Sequence, residues 1–315
     1  VVTTNARLRT FVAVADSGSV RAAALRLHVT ESSVSAAVTA LSRDVGVALV
    51  EHSGRGLRLT PPGQTYAAYA RRILNLHQEA LAAARGDLDP ERGTIRMTAV
   101  TTAAEHLLPP LLASFRGRYP HVELRLEVAN RDEVWQALKA CSADIVFAGR
   151  PPAVWRGSVR LVRANSLVVV AAPELAEGFV AEHTTWLLRE PGSGTRDTSA
   201  ALLTSLDIRP PLLTLGSNGA VIAGAAAGLG VTLVSRDAVR VHLATGELVE
   251  LPVPGTPLHR PWNAVSRDEA SATTGLLVEH LRVTDLGDGR PPWRRPRRRP
   301  DPTGPDGIRP GVAAG

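Results

Sequence analysis

Apolar positions recur at helical spacing through the first ninety residues, and strand-like and helical runs alternate after them. Leu8, Phe11, Val12 and Ala15 fall at i, i+3, i+4 and i+7, which predicts an amphipathic helix ending at Ser17-Gly18. Ser19 is placed to N-cap a short second helix with Ala22, Ala23 and Leu27 facing inward, ending at His28-Val29. Thr30 then caps a third helix, Glu31 to Asp44, whose buried stripe is Val34, Val38 and Leu41 and whose stop is Gly46. Two helices joined by a tight turn make a helix-turn-helix pattern.

The polar face of the third helix carries Ser32, Ser33, Ser35, Thr39 and Ser42. Small hydroxyl residues allow close approach to base edges and phosphates, and they also fit a merely solvated surface. The following segment favours the first reading. Leu49-Val50-Glu51 and Leu57-Arg58-Leu59 flank Ser53-Gly54-Arg55-Gly56, a hairpin with arginine at a glycine-rich tip. A hairpin directly after a helix-turn-helix is a wing. Ser19, Thr30, Ser32, Ser33, Ser35 and Thr39, with Arg55 and Arg58 on the wing, are therefore the candidate DNA contacts.

Thr60-Pro61 supplies a cap and a first-turn proline, and a long helix is expected from Gly63 to Ala84. Tyr66, Tyr69 or Ala70, Ile73, His77, Ala80 and Ala84 lie along one side, a stripe that needs a partner surface and predicts dimerisation. Gly86 to Pro90 breaks the helix.

Beyond the break, strands at Ile95 to Val100, Val122 to Val128 and Ile145 to Ala148 alternate with helices around Leu107 to Tyr119 and Asp132 to Ala140. A second series runs from Leu167 to Val234. Two such series predict two lobes with mostly parallel sheets and a cleft between them, with Pro151-Pro152 and Pro252 to Pro261 as hinge strands. The expected units are 1–62, a DNA-binding module; 63–90, a linker helix; 91–284, a two-lobed domain; and 285–315, a disordered Pro/Arg-rich tail. The fold class is α/β with an all-α-plus-wing N-terminal module.

Composition narrows the function. The chain is 44% hydrophobic and 21% charged, with a net charge of +6 in which Lys139 is the only lysine. Codon bias of a GC-rich genome accounts for the general excess of arginine, so placement is more informative. Residues 1–90 hold ten Arg against seven acidic residues, and 285–315 hold seven against four, leaving the middle near neutral. The tail either adds non-specific DNA attraction or is a neutral extension, and the codon bias favours the second reading. A single cysteine, Cys141, excludes a disulfide framework, and no export signal or membrane span is legible, which predicts a cytoplasmic protein with no membrane partner. No GxSxG, HExxH or phosphate-loop motif and no His/Cys cluster is present, so neither catalysis nor a metal or other cofactor is expected.

Gly192-Ser193-Gly194-Thr195-Arg196 lies between an expected strand and helix, where backbone N–H groups and two hydroxyls converge at a positive helix end. This is either an anion cradle or an ordinary helix cap. Thr101-Thr102 and Asn130 end strands, and strand carboxyl ends border the crevice of an open α/β sheet. With Asn218 these form the candidate effector set: Thr101, Thr102, Asn130, Ser193, Gly194, Thr195, Arg196 and Asn218.

Taken together, Thr10 to Arg26, Val29 to Leu49, Gly54 to Gly63 and the α/β remainder resemble the LysR-type transcriptional regulators over residues 5 to 283. The resemblance implies a winged helix-turn-helix, a linker helix and an effector domain like the type II periplasmic binding proteins. Glu105 to Pro109, Asn130 to Val134, Glu190 to Arg196 and Gly216 to Gly219 look most like regulators of carbon-fixation and cysteine-biosynthesis operons, whose effectors are often small anionic metabolites. Glu31 and Ala36 depart from the glutamine and arginine many members carry there. The expected function is a homodimeric or homotetrameric regulator that binds an inverted repeat in double-stranded promoter DNA, with RNA polymerase as a further partner. A solute-binding transport protein and a two-lobed enzyme are the competing readings, and the N-terminal winged helix and the missing catalytic constellation argue against them.

Overall fold

The computed structural model describes residues 4–53, 56–85, 89–152, 155, 157–285 and 291–296. Three helices open the chain: α1 (Asn5–Ser17), α2 (Val20–Leu27) and α3 (Glu31–Val45). Each is capped as its sequence dictates, by Thr4, Ser19 and Thr30 at the N-termini and by left-handed Gly18, His28 and Gly46 at the C-termini. The hairpin of β1 (Val50–Ser53) and β2 (Gly56–Leu59) follows, and the Leu57 amide donates to the Gly18 carbonyl at 3.0 Å, which fixes the wing to the end of α1.

Helix α4 (Pro61–Arg85) grows out of the wing. Its first turn crosses β1 so closely that a Cβ on Gly63 would lie 1.9 Å from the Leu49 carbonyl oxygen. Only glycine permits this approach. The sequence stripe on α4 divides between two surroundings. Tyr66, Ala67, Ala70 and Leu74 pack on the helical core around Phe11, whereas Tyr69, Ile73 and Leu76 are 57%, 48% and 66% exposed. Residues of the N-terminal head thus account for one face and leave a second apolar face open.

The first lobe holds β3 (Thr94–Val100), α5 (Thr101–His106), α6 (Leu108–Arg118), β4 (Glu123–Ala129), α7 (Arg131–Lys139), β5 (Ile145–Ala148) and β6 (Ser158–Arg163). The second holds β7 (Ser166–Ala171), α8 (Pro173–Ala176), β8 (Trp186–Leu188), α9 (Gly194–Ser205), β9 (Leu212–Thr214), α10 (Asn218–Ala226), β10 (Thr232–Ser235), α11 (Arg236–Thr245), β11 (Val249–Leu251) and β12 (Leu258–His259). The chain then returns to the first lobe as β13 (Trp262–Ser266) and α12 (Ala272–Val283). In the first sheet the order is β4-β3-β5-β13-β6, in the second β10-β7-β11 with β12 also on β7. Among the described residues, no helix is long and apolar enough to cross a membrane.

Four expectations are corrected. Thr101 and Thr102 open a separate short helix, α5, rather than end the strand, which stops at Val100; Pro109 and Pro110 lack amide donors, so the helix expected over 107–119 starts anew as α6 at Leu108. The sheets are mixed rather than mostly parallel: β3 pairs in parallel with β4 and β5, but β13 and every partner of β7 are antiparallel. The hinge strand lies at 163–166, not at Pro151-Pro152, because β6 remains in the first sheet before the chain crosses. The return crossing falls within Pro252 to Pro261, and Asn165 and Arg260 tie the crossings together, each backbone oxygen accepting a bond at 2.9 Å.

The fourth concerns the tail. Residues 291–296 return to the first lobe, where Trp293 is 3% exposed and edge-on to Phe147 at 6.0 Å. Arg294 exchanges backbone bonds with Val162 at 2.7 and 2.8 Å, which covers part of the outer edge of β6. An indole able to fill the gap beside Phe147 outweighs the polar composition around it. Trp293→Ala should lower the stability of the effector domain by about 3 kcal/mol, and truncation after Val283 should do at least as much. Urea unfolding followed by far-ultraviolet dichroism measures both, and an unchanged midpoint would remove Trp293 from the core.

Candidate functional site

Two surfaces carry polar groups that helix and strand formation leave unused. On the head, the Thr30 hydroxyl accepts from the Ser33 amide at 3.2 Å and lies 3.0 and 2.8 Å from the hydroxyls of Ser32 and Ser33. These hydroxyls, with Ser35 and Thr39, are exposed along the outer face of α3. Ser19 caps α2 through a 3.4 Å bond from the Ala22 amide. Ser42 instead turns inward and accepts from the Leu49 amide at 3.4 Å, so the polar face is shorter than its sequence implies. On the wing, Arg58 pairs with Glu51 across the hairpin at 2.9 Å, and Arg55 lies outside the described residues.

The second surface is the cleft between the lobes, whose cavity volume is about 60 Å³. Thr101, Thr102, Asn130, Ser193, Gly194 and Thr195 all line it. Gly192, with φ of +86°, turns the chain from β8 into α9 so that the helix begins at the cleft wall. Ser193 caps α9, its hydroxyl accepting from the Arg196 amide at 3.5 Å, and the Gly194 and Thr195 amides have no intrahelical acceptor. Across the cleft, Asn130 caps α7, accepting from the Asp132 and Glu133 amides at 3.0 Å while Glu133 accepts from the Asn130 amide at 3.0 Å.

Arg196 and Asn218 fall outside the lining. The Arg196 guanidinium folds back on the Arg189 carbonyl at 2.6 Å and the Thr214 hydroxyl at 3.2 Å. Asn218 is buried, and its amide nitrogen lies 3.3 Å from His106 Nε2, a bond from the second lobe to the first. Both serve the walls rather than the space between them.

What the short-range sequence pattern missed is the charge of the cleft. Arg131, Arg150, Arg189 and Arg260 all line it, against the single carboxylate of Glu190. Arg189 grips that carboxylate through two bonds of 2.7 and 2.6 Å, which hold the Glu190 carboxyl below the usual carboxylate range. Arg131 reaches across to Asp197 of the other lobe at 3.7 Å. Arg150 and Arg260 have no carboxylate within ion-pairing distance among the described residues. Arg260 instead donates to the Gly194 carbonyl and the Thr198 hydroxyl. Burial lowers its affinity for the proton, as does the charge of Arg131, with Asp197 opposing. The signal for Arg260 was its place in the returning crossing, since both crossings of a two-lobed domain form the cleft floor.

Among the described residues, no group of three or more His, Cys, Asp and Glu is arranged to hold a metal ion. Residues 6–64 match the family described as bacterial regulatory helix-turn-helix protein, lysR family, and residues 88–284 match the LysR substrate binding domain. The HTH-type transcriptional regulator CfxR of Cupriavidus necator is 35% identical over 288 residues, covering 87% of this chain and 90% of its own. A full-length OxyR variant from Pseudomonas aeruginosa shares the fold with a TM-score of 0.73 at 21% identity, over 90% of this chain and 96% of that one. The regulatory domain of Synechocystis PCC6803 CcmR, solved in complex with 2-PG, is 27% identical with a TM-score of 0.56, over 62% of this chain and 98% of that domain. The chain belongs to the LysR family of DNA-binding transcriptional regulators.

Proposed function

We propose that the protein reads an inverted repeat in promoter DNA as a dimer or a pair of dimers, and that a small metabolite carrying more than one negative charge controls it from the cleft. The observation that carries the effector class is the charge balance: two of the four cleft guanidiniums have carboxylate partners, and Arg150 and Arg260 have none among the described residues. An anion bridging them supplies the missing charge and meets the first-turn amides of α9. The 2-PG bound to the Synechocystis CcmR domain supports this class. The effector set proposed here is Thr101, Thr102, Asn130, Ser193, Gly194 and Thr195, extended by Arg131, Arg150, Arg189 and Arg260. Calorimetry with 2-PG as probe tests it: Arg260→Gln should weaken binding at least about tenfold, since a charged hydrogen bond is worth roughly 1.5–3 kcal/mol. Equal affinity in both proteins, or a preference for cationic ligands, contradicts the assignment.

DNA recognition rests on the exposed hydroxyls of α3 beside the wing. Ser33→Ala and Ser35→Ala should each reduce the ratio of specific to non-specific affinity by about tenfold and leave the salt slope unchanged. Fluorescence anisotropy on a fragment containing the site and on a scrambled fragment separates the two effects. A uniform loss across sequences would make these serines structural.

Assembly rests on the exposed face of Tyr69, Ile73 and Leu76, which a second copy of α4 fits by self-complementarity. Two copies then present two recognition helices to one DNA face in the cytoplasm, and a site so occupied beside a promoter makes RNA polymerase the further partner. Ile73→Asp should yield a monomer in sedimentation velocity. A variant that still sediments as the wild-type oligomer excludes this seam.

A further inference from the structure

Helix α7 touches both functional ends of the molecule. Its N-terminal residues Asn130 and Arg131 line the cleft, and Val134, Trp135 and Leu138 are buried against the first sheet. Nine residues at 1.5 Å each carry it about 14 Å away from the cleft. There its last turn ends in Ala140, followed by Cys141 in the left-handed region at φ +57°. The Ala140 carbonyl accepts a 3.0 Å bond from Arg71 Nη1, a cation at the negative end of the helix.

Arg71 belongs to α4, and its other terminal nitrogen, Nη2, donates to Asp16 at 2.6 Å. Asp16 lies in the last turn of α1, two residues before Gly18, whose carbonyl holds the wing through the Leu57 amide. Arg26 of α2 reaches the same carboxylate at 3.2 Å. The Arg71 side chain is 11% exposed, so the geometry of both bonds is confined by packing. One guanidinium therefore joins the far end of a cleft helix to the point where α1, α2 and the wing meet.

We infer that Arg71 is a positioning residue that carries effector-dependent change in α7 to the DNA-binding head. Asn130 and Arg131 meet an anion in the cleft, and the resulting change in tilt or rigidity of α7 reaches the Ala140 carbonyl because the helix is a packed rod. Arg71 follows that carbonyl and takes Asp16 with it, which biases the angle of the wing relative to α3. Effector binding and DNA binding are thereby coupled, and the coupling acts equally in both directions. The inference rests on the anion-binding cleft proposed above.

Hydrogen exchange of the full-length chain, with saturating 2-PG as probe, tests it. In the wild type, 2-PG should slow exchange at the amides of 193–197 and change exchange at 15–19 by about threefold or more. Arg71→Ala should keep the response at 193–197 and the 2-PG affinity within about twofold, and lose the response at 15–19. Arg71→Gln, which retains hydrogen-bonding groups but is too short to bridge both partners, should behave the same way and serves if the alanine variant folds poorly. Arg26→Ala removes the other bond to Asp16 without touching α7 and should keep both responses. No protection at 193–197 in the wild type would overturn the cleft reading, and this inference with it. Protection there with an equal response at 15–19 in wild type and both Arg71 variants would overturn the inference alone.

Discussion

Positive charge gathered in the cleft is the constraint to which the rest of the molecule answers. A half-buried guanidinium is stable when it is hydrogen-bonded, and Arg260 Nη1 donates to neutral acceptors, the Gly194 carbonyl and the Thr198 hydroxyl. Neutral acceptors leave its charge in place. The lobes meet around that charge: Asn165 and Arg260 bind the crossings to each other, Arg131 reaches Asp197, and Asn218 reaches His106. These contacts between lobes are polar, and an anion binding both walls selects one angle between the lobes.

The opposite end of the molecule is built for stiffness. Gly63 lets α4 start in backbone contact with Leu49, and Tyr66, Ala67 and Ala70 then bury against α1. Helices α4 and α1 are consequently packed against each other. This arrangement leaves the other face of α4 free for assembly and gives Arg71 a fixed base from which to hold both Asp16 and Ala140. A flexible linker would dissipate any change arriving from the lobes.

Local features were legible in the sequence wherever the responsible residues are neighbours. Ser19, Thr30, Asn130 and Ser193 all cap the helices their positions imply, because a cap depends on three or four consecutive residues. The wing, the long helix and the glycine loop at the cleft have the same short range. What depends on distant partners was not legible. Neither the antiparallel return of β13, nor the burial of Trp293 beside Phe147, nor the convergence of Arg131, Arg150, Arg189 and Arg260 has a local signature. Arg196 shows the converse: its position in the loop motif points to the cleft, but the Arg189 carbonyl captures its side chain.

The central claim is that one chain reads DNA with α3 and the wing and alters that reading when an anion fills the cleft. A nuclease footprint of the full-length protein on the DNA beside its own gene, with and without 2-PG, tests both halves together. The account predicts two protected half-sites of related sequence about one helical turn apart, or a multiple of it, and a change in the extent or spacing of protection when 2-PG is added. Absence of any protected site, or a footprint identical with and without 2-PG at concentrations that saturate the cleft, would contradict it.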